Sequence, residues 1–432
     1  MSFLNNFFLP PSTDHLHLIK YIILLIYFIH IPFISLLLGG TFFSVFFRLL
    51  AGKDQNSRFW QVSRDFIETL VFRKTAGIIL GVLPMLALTL IEGQIFYDAD
   101  ATIVKFMMIT TVLVAISISL VYFYQSTFKI AEVKPNVQLA SGVIGLFTIL
   151  LAYFVFSVST SLVLDPGRWA FVNSIWKTLF SWNVIARYKH FLIAALAVSS
   201  VAFFFFNFNW RESKKEIAPE YASFLKRLSA GIALTLTIIQ PLFLFWNLIT
   251  LPDQALSMAV FVLLILALFI VLLICLTLYR LLSENQVELG KNVFIMFIIL
   301  LVVMIINDHY ARENATENHT YLLVHRAQDV EAQIEAAHAQ LLESSVEPDL
   351  KLGEQVYNTQ CNACHHFEES LVGPAYNVVL PKYLNRQEEL TNFIRNPYKI
   401  DQNYPAMPKL GLNEKEIQSV VAYLFKRLEE SK

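Results

Sequence analysis

Apolar residues run along this chain in stretches too long and unbroken for the core of a water-soluble domain. They occupy about 18–50, 72–96, 102–129, 137–164, 188–209, 227–250, 256–281 and 291–307. Each can cross a bilayer as an α-helix, which needs about 20 apolar residues. Beyond residue 307 the pattern changes. Residues 321–344 have a helical spacing rich in Ala, Glu and Gln with few large apolar side chains, which suits a spacer or docking arm. Residues 347–432 hold three short helical segments, near 352–357, 384–394 and 413–428, separated by turn residues. The expected fold is therefore all-α. A polytopic transmembrane bundle of about eight helices covers 1–307, a polar helical linker 308–346, and a small helical domain 347–432.

Composition agrees with a membrane protein. Hydrophobic residues make up 56% of the chain, charged residues 16%, and Phe alone numbers 37, more than a soluble core of this length can use. The net charge of −1 gives no basic surface for nucleic acid. An even number of spans puts both termini on one side. Loops assigned to the inner side carry Arg48, Lys53, Arg58, Arg64, Arg73 and Lys74, then Lys129 and Lys134, then Arg211, Lys214, Lys215, Lys226 and Arg227, then Arg280 and Lys291. Two outer loops carry only Asp98 with Asp100, and Asp253; the longer outer loop, 165–187, is the exception, with Arg168, Lys177 and Arg187. The excess of Lys and Arg sets the orientation. The N-terminus lacks the basic region and cleavage site of a signal peptide and is expected to stay as an anchor.

The stretch Cys361-Asn362-Ala363-Cys364-His365 brings specific chemistry. Two cysteines flanking two residues, followed by histidine, form the pattern for covalent haem attachment. The thiols become thioethers, and the imidazole serves as proximal iron ligand. A zinc site would need further Cys or His, but the remaining cysteine, Cys275, lies in an apolar run. A redox Cys-x-x-Cys pair would need a surrounding βαβ pattern, and none is present. Such haem is attached outside the bacterial cytoplasm, so the C-terminal domain and N-terminus are assigned to the outer face of a bacterial inner membrane. The loop charges agree.

Ionisable residues inside apolar helices are costly and mark candidate sites. His30 lies within the first run and His190 at the start of the fifth, both in the outer half under this topology. Imidazole is a usual axial ligand of membrane haem b. Glu92 ends the second run, either as a carrier for protons released by a quinol or as an interfacial cap. Met258 opens the seventh run, where it is either packing or a sixth haem ligand. His309 is a further candidate at the end of the eighth, and His319, His325 and His338 are expected to be solvated. Trp169, Trp176 and Trp182 suit an interfacial aromatic belt.

Tyr27-Phe28-Ile29-His30-Ile31-Pro32, Leu164-Asp165-Pro166 and Ala186-Arg187-Tyr188-Lys189-His190 resemble, in chain order, subunit I of the cytochrome bd quinol oxidase family. The likeness covers roughly 15–283. It implies that His190 and Met258 hold a low-spin haem b fed by quinol and that His30 holds a second haem or marks its pocket. The sequence departs from that family in several places. The loop the family uses for quinol is reduced to about 250–256, residues 102–129 contain no glutamate, the Gly-Arg-Gln-Pro-Trp signature is missing, and eight runs stand where nine are expected.

Residues from about 352 resemble a class I cytochrome c. A helix leads into the haem motif, Gly373-Pro374 turns the chain back, and Tyr404-Pro405-Ala406-Met407-Pro408 offers Met407 opposite His365 as distal ligand. A thioether opposite histidine raises the potential. The two resemblances imply a membrane electron-transfer oxidoreductase subunit with one haem c at Cys361 and Cys364 and one or two haems b. Quinone would be its substrate, and an external acceptor and further respiratory subunits its partners. A terminal oxidase fed through cytochrome c, and an anchor without catalysis, are the alternatives.

Overall fold

The computed structural model describes residues 13–52, 54–96, 101–130, 133–171, 175–210, 218–344 and 347–431. Lys53, Asp98, Asp100, Arg211, Lys214 and Lys215, used above for topology, lie outside the described residues. All regular structure among the described residues is helical, apart from one isolated bridge between His365 and Ser370. The chain divides into two compact units, one ending at Gln328 and the other being Asp329–Lys432.

The first unit contains α1 (Thr13–Ala51), α2 (Arg58–Leu70), α3 (Lys74–Ile95), α4 (Ala101–Thr127), α5 (Pro135–Val163), α6 (Trp182–Trp210), α7 (Pro219–Ile249), α8 (Met258–Ser283) and the start of α9 (Leu289–Ser344). All but α2 are long and apolar enough to cross a membrane, which makes the expected eight among the described residues. The runs of hydrophobicity do not show α2. It is amphipathic, capped by Ser57, and buries Val62, Phe66, Ile67 and Leu70. Phe66 stacks on Phe203 of α6 with ring centroids 3.9 Å apart. Arg48, counted above as a loop charge, is buried at the end of α1. Its guanidinium donates to Gln138 Oε1 at 2.8 Å and to the Gly52 carbonyl at 2.5 Å. A cation there complements the carbonyl end of the helix dipole.

Helices α1 and α6, which carry the two candidate histidines, approach closely because Gly39 faces Ser199. A Cβ at Gly39 would fall on the serine side chain. The Ser199 hydroxyl donates to the Ser35 carbonyl at 2.9 Å, so a polar residue between two spans is satisfied. The apolar core lies on both sides of this pair. One cluster joins α1, α3, α4 and α5, and another joins α6, α7, α8 and α9.

Helix α9 does not stop at residue 307, because residues 308–344 contain neither Pro nor Gly to break it. Residues 308–328, expected as the start of a linker, group with the bundle instead. Ala311, Ala315 and Leu323 are buried. His319, expected to be solvated, stacks on Phe96 at 5.5 Å and bonds the Ile95 carbonyl through Nε2 at 2.8 Å.

The second unit carries α10 (Leu350–Val356), α11 (Gln387–Arg395) and α12 (Glu414–Glu430). Its core comprises Val356, Tyr357, Leu390, Ile394, Val420, Leu424 and their neighbours. Helix α12 starts on a reciprocal cap between Asn413 and Glu416. Gly353 lets α10 cross α12, since a Cβ there would overlap the Ser419 carbonyl.

Candidate functional site

The haem-motif cysteines sit where α10 runs out. Asp349 caps α10, accepting from Lys351 N at 2.9 Å. The helix widens into a π-turn over Tyr357–Cys361, and the next turn folds back so that Cys364 and His365 both donate to the Cys361 carbonyl, at 3.1 and 3.0 Å. Both thiols are free of disulfide. Burial pushes the Cys361 thiol pKa up. A redox-active Cys-x-x-Cys thiol needs the opposite shift, so burial counts against that reading.

His365 is prepared as an iron ligand. Its Nδ1–H donates to the Pro374 carbonyl at 2.9 Å, which fixes the ring and leaves Nε2 with a free lone pair. Gly373 makes room for the ring. Its N–H donates to the Cys364 carbonyl at 2.9 Å, and a Cβ on it would fall on the imidazole. Met407 is half-buried in the extended segment between α11 and α12. That segment is fastened by Lys409 Nζ to Asn396 Oδ1 at 3.1 Å and by the Tyr404 hydroxyl to Ser370 Oγ at 3.5 Å. Ser370 is the bridge partner of His365. The ring partners of the pocket are Tyr376, 5.2 Å from His365, and Phe367. The donor set fits covalent haem c: two thiols, one oriented imidazole, and a thioether in a tethered loop.

In the bundle, His30 and His190 line one partly open cavity of about 200 Å³. His30 is buried, and its Nδ1 lies 3.1 Å from the Leu80 carbonyl. That carbonyl is available for a local reason. In an α-helix it would accept from the N–H of residue 84, but Pro84 has none. Helix α3 answers by widening into a π-turn over Gly77–Val82, a distortion often found at functional sites. His30 therefore keeps Nε2 free for a ligand, as His365 does.

The same cavity is lined by Arg187 and Asp308, paired at 2.7 Å. It is also lined by Gln240 and Asn247 of α7, whose Nε2 and Oδ1 are buried without a hydrogen-bond partner among the described residues. The lining thus offers an imidazole with one nitrogen already engaged, a second imidazole, and two amides each with an unsatisfied buried atom. Met258 does not join it. As the first residue of α8 it is 78% exposed and outside the lining, whereas Met304 of α9 lines the cavity. Glu92 is neither an interfacial cap nor a free carboxylate. It is fully buried and held by both terminal nitrogens of Arg312, at 2.5 and 2.8 Å. His309 is buried outside the cavity lining, with Nε2 3.6 Å from Glu313. Of the belt candidates, Trp176 and Trp182 are exposed, whereas Trp169 donates to the Leu162 carbonyl at 2.7 Å.

Sequence reasoning missed Arg312, Gln240, Asn247 and the Leu80 carbonyl. A buried Glu in an apolar run implies a basic partner, but Arg312 lies past the point where the eighth run ends in hydropathy. The amides of α7 gave no signal, because isolated polar residues in a span are commonly satisfied by neighbours.

Comparison with known proteins bears on the second unit. Residues 348–424 match the family model for cytochrome C oxidase, cbb3-type, subunit III. The chain is also 36% identical over 84 residues to the chloroplastic cytochrome c6 of Chlamydomonas reinhardtii, an alignment that takes in 18% of this chain and 55% of that protein. The chain thus spans about half the length of the curated relative it matches. Over residues 348–424, where Cys361, Cys364 and His365 are set for covalent haem, the chain is similar to a cytochrome c domain.

Proposed function

We propose that the bundle holds b-type haem in the cavity between α1 and α6, and that the chain oxidises quinol and passes the electrons through its cytochrome c domain to a further acceptor. The observation that carries this reading is that two imidazoles line one cavity, one of them with Nε2 left free by a bond to Leu80. Bound there, haem b would supply one-electron transfer between a two-electron donor and the one-electron haem c. His30 and His190 are the ligands the cavity offers. Met304 takes the place expected of Met258, and Arg187 and Gln240 offer hydrogen-bond donors at the cavity wall. The likeness of the bundle to cytochrome bd subunit I supports the same assignment. Both termini would lie outside a bacterial inner membrane, within a larger respiratory complex.

An oxygen-reducing site would need a carboxylate free to carry protons. Asp308, the one carboxylate in the cavity lining, is paired with Arg187, and Glu92 is committed to Arg312. These pairings favour the relay over a terminal oxidase. Pyridine haemochrome analysis of the purified chain should give at least one haem b per haem c. His30→Ala and His190→Ala should each lower the b content while leaving haem c unchanged. A wild-type protein with haem c alone would reduce the bundle to an anchor and end this reading.

A further inference from the structure

The bundle holds a second cavity, apart from the one lined by the histidines. Its volume of about 410 Å³ lies in the usual range for a small-ligand pocket. The last turn of α5, the first of α6 and the connection between α7 and α8 form its walls. Four spans end or begin around it, which puts it at the level of lipid headgroups. Trp182 lines it and is 69% exposed, as suits a side chain at that interface.

Three polar groups line this cavity with nothing to bond. Asn183 is buried, and its Nδ2 donates to the Thr250 carbonyl at 3.1 Å, which leaves Oδ1 a buried acceptor without a partner. A carbonyl can only accept, so turning the amide over would not relieve it. Ser161 is buried too, and its Oγ has no partner. The Asp253 carboxylate is exposed and enters no ion pair or hydrogen bond among the described residues. Buried polar atoms left unbonded are costly, so two of them at one cavity point to a ligand.

We propose that the cavity binds the phosphoethanolamine headgroup of a membrane lipid, its ammonium bonding Asn183 Oδ1, Ser161 Oγ and Asp253, and its phosphate bonding Arg168. The amide oxygen needs a donor and the carboxylate a positive charge. A primary ammonium has three N–H donors for these three groups, whereas a trimethylated one has none. Arg168 lines the same cavity. Its Nη2 donates to the Lys177 carbonyl at 3.2 Å, and its Nε lies 3.7 Å from Asp165 Oδ2, an ion pair too long for a hydrogen bond. The fork therefore keeps N–H donors for an anion. That guanidinium in the wall counts against a bare metal ion. A quinone ring would need apolar walls, and those of this cavity are chiefly polar.

Native mass spectrometry of the full-length protein tests this, in detergent micelles holding equal amounts of phosphatidylethanolamine, phosphatidylcholine and phosphatidylglycerol. One phosphatidylethanolamine should be retained, several-fold in excess of the other two lipids. Asp253→Asn, a change at an exposed position, and Ser161→Ala should each lower that retention several-fold while haem c absorbance stays unchanged. Asp253→Glu should keep it, an outcome that separates lost charge from lost folding. Equal retention of the three lipids, a preference for phosphatidylglycerol, or undiminished retention in Asp253→Asn would each overturn the proposal. Saturation by free phosphoethanolamine with no lipid retained would overturn it as well, because the ligand would then come from solution.

Discussion

Replacing Arg312 with methionine should be among the most damaging single changes to the bundle. Glu92 is fully buried, Arg312 has a side chain 10% exposed, and the two meet through a pair of parallel hydrogen bonds at 2.5 and 2.8 Å. The guanidinium also lies over the Phe96 ring at 5.9 Å. Methionine keeps most of the apolar volume but leaves a carboxylate without a counter-charge and two oxygens without donors. Breaking a buried pair from one side costs about 3–5 kcal/mol, whereas replacing both partners by apolar residues is often neutral. Melting temperature moves by roughly 2 °C per kcal/mol in a large domain, so Arg312→Met should melt about 6–10 °C lower. Arg312→Met with Glu92→Leu should recover most of that loss. Tryptophan fluorescence of detergent-solubilised protein follows the bundle, while haem c absorbance follows the tethered domain separately. Unfolding of such a protein is commonly irreversible, so the comparison is of midpoints at one scan rate. A double variant as unstable as the single one would show that the pair is not what keeps Glu92 buried. That result would return Glu92 to the role of a proton carrier.

Two further changes probe the cytochrome domain. Gly373→Ala drives a methyl into the His365 ring, an overpacking worth about 1–3 kcal/mol, and should weaken low-spin haem c absorbance; an unchanged spectrum would remove Gly373 from the cradle. Arg395 donates to both oxygens of Glu414, at 3.1 and 2.5 Å, and these bonds hold the Glu414 pKa below its usual value. A depressed folded pKa stabilises the domain above the unfolded carboxylate pKa near ~4.3, and that contribution is lost as pH falls through the lowered value. The pair is 41% exposed on each side, which limits it to about 1 kcal/mol. Arg395→Gln should therefore lower the melting midpoint at neutral pH and have no effect in strong acid. An equal loss at both pH values would refute the assignment.

Much of this arrangement is legible in one dimension. The eight spans follow from run length alone, and Cys361, Cys364 and His365 announce their cofactor because covalent attachment fixes the spacing of its ligands. The turn at Gly373-Pro374 could be read as well, since such a pair does not continue a helix. What escaped depends on contacts between distant parts of the chain. Helix α2 is amphipathic, so a search for unbroken apolar runs passes over it. The true end of α9 escaped because hydropathy changes at residue 308 while helix propensity does not. Met258 is the methionine to which the family likeness points, and only the packing of α8 and α9 shows that Met304 lines the cavity instead. The partner of Glu92 lies on α9, 220 residues away.

The two histidines that line the cavity are not equivalent, and the difference comes from proline. His365 gives Nδ1–H to a carbonyl belonging to Pro374, and His30 meets a carbonyl deprived of its helical donor by Pro84. In each case an imidazole is oriented before any ligand arrives by a bond to a backbone carbonyl, and for His30 that carbonyl has lost its usual helical donor, a vacancy that burial makes expensive. His190 makes no comparable bond among the described residues, although it lines the same cavity. Its ring is therefore free to settle on whatever the cavity holds, whereas that of His30 is fixed in advance. His30 lies on α1, which crosses α6 closely further along at Gly39, and it is the more deeply buried of the two. The first helix, more than the fifth run from which the family likeness draws its low-spin ligand, thus sets where a haem would be held.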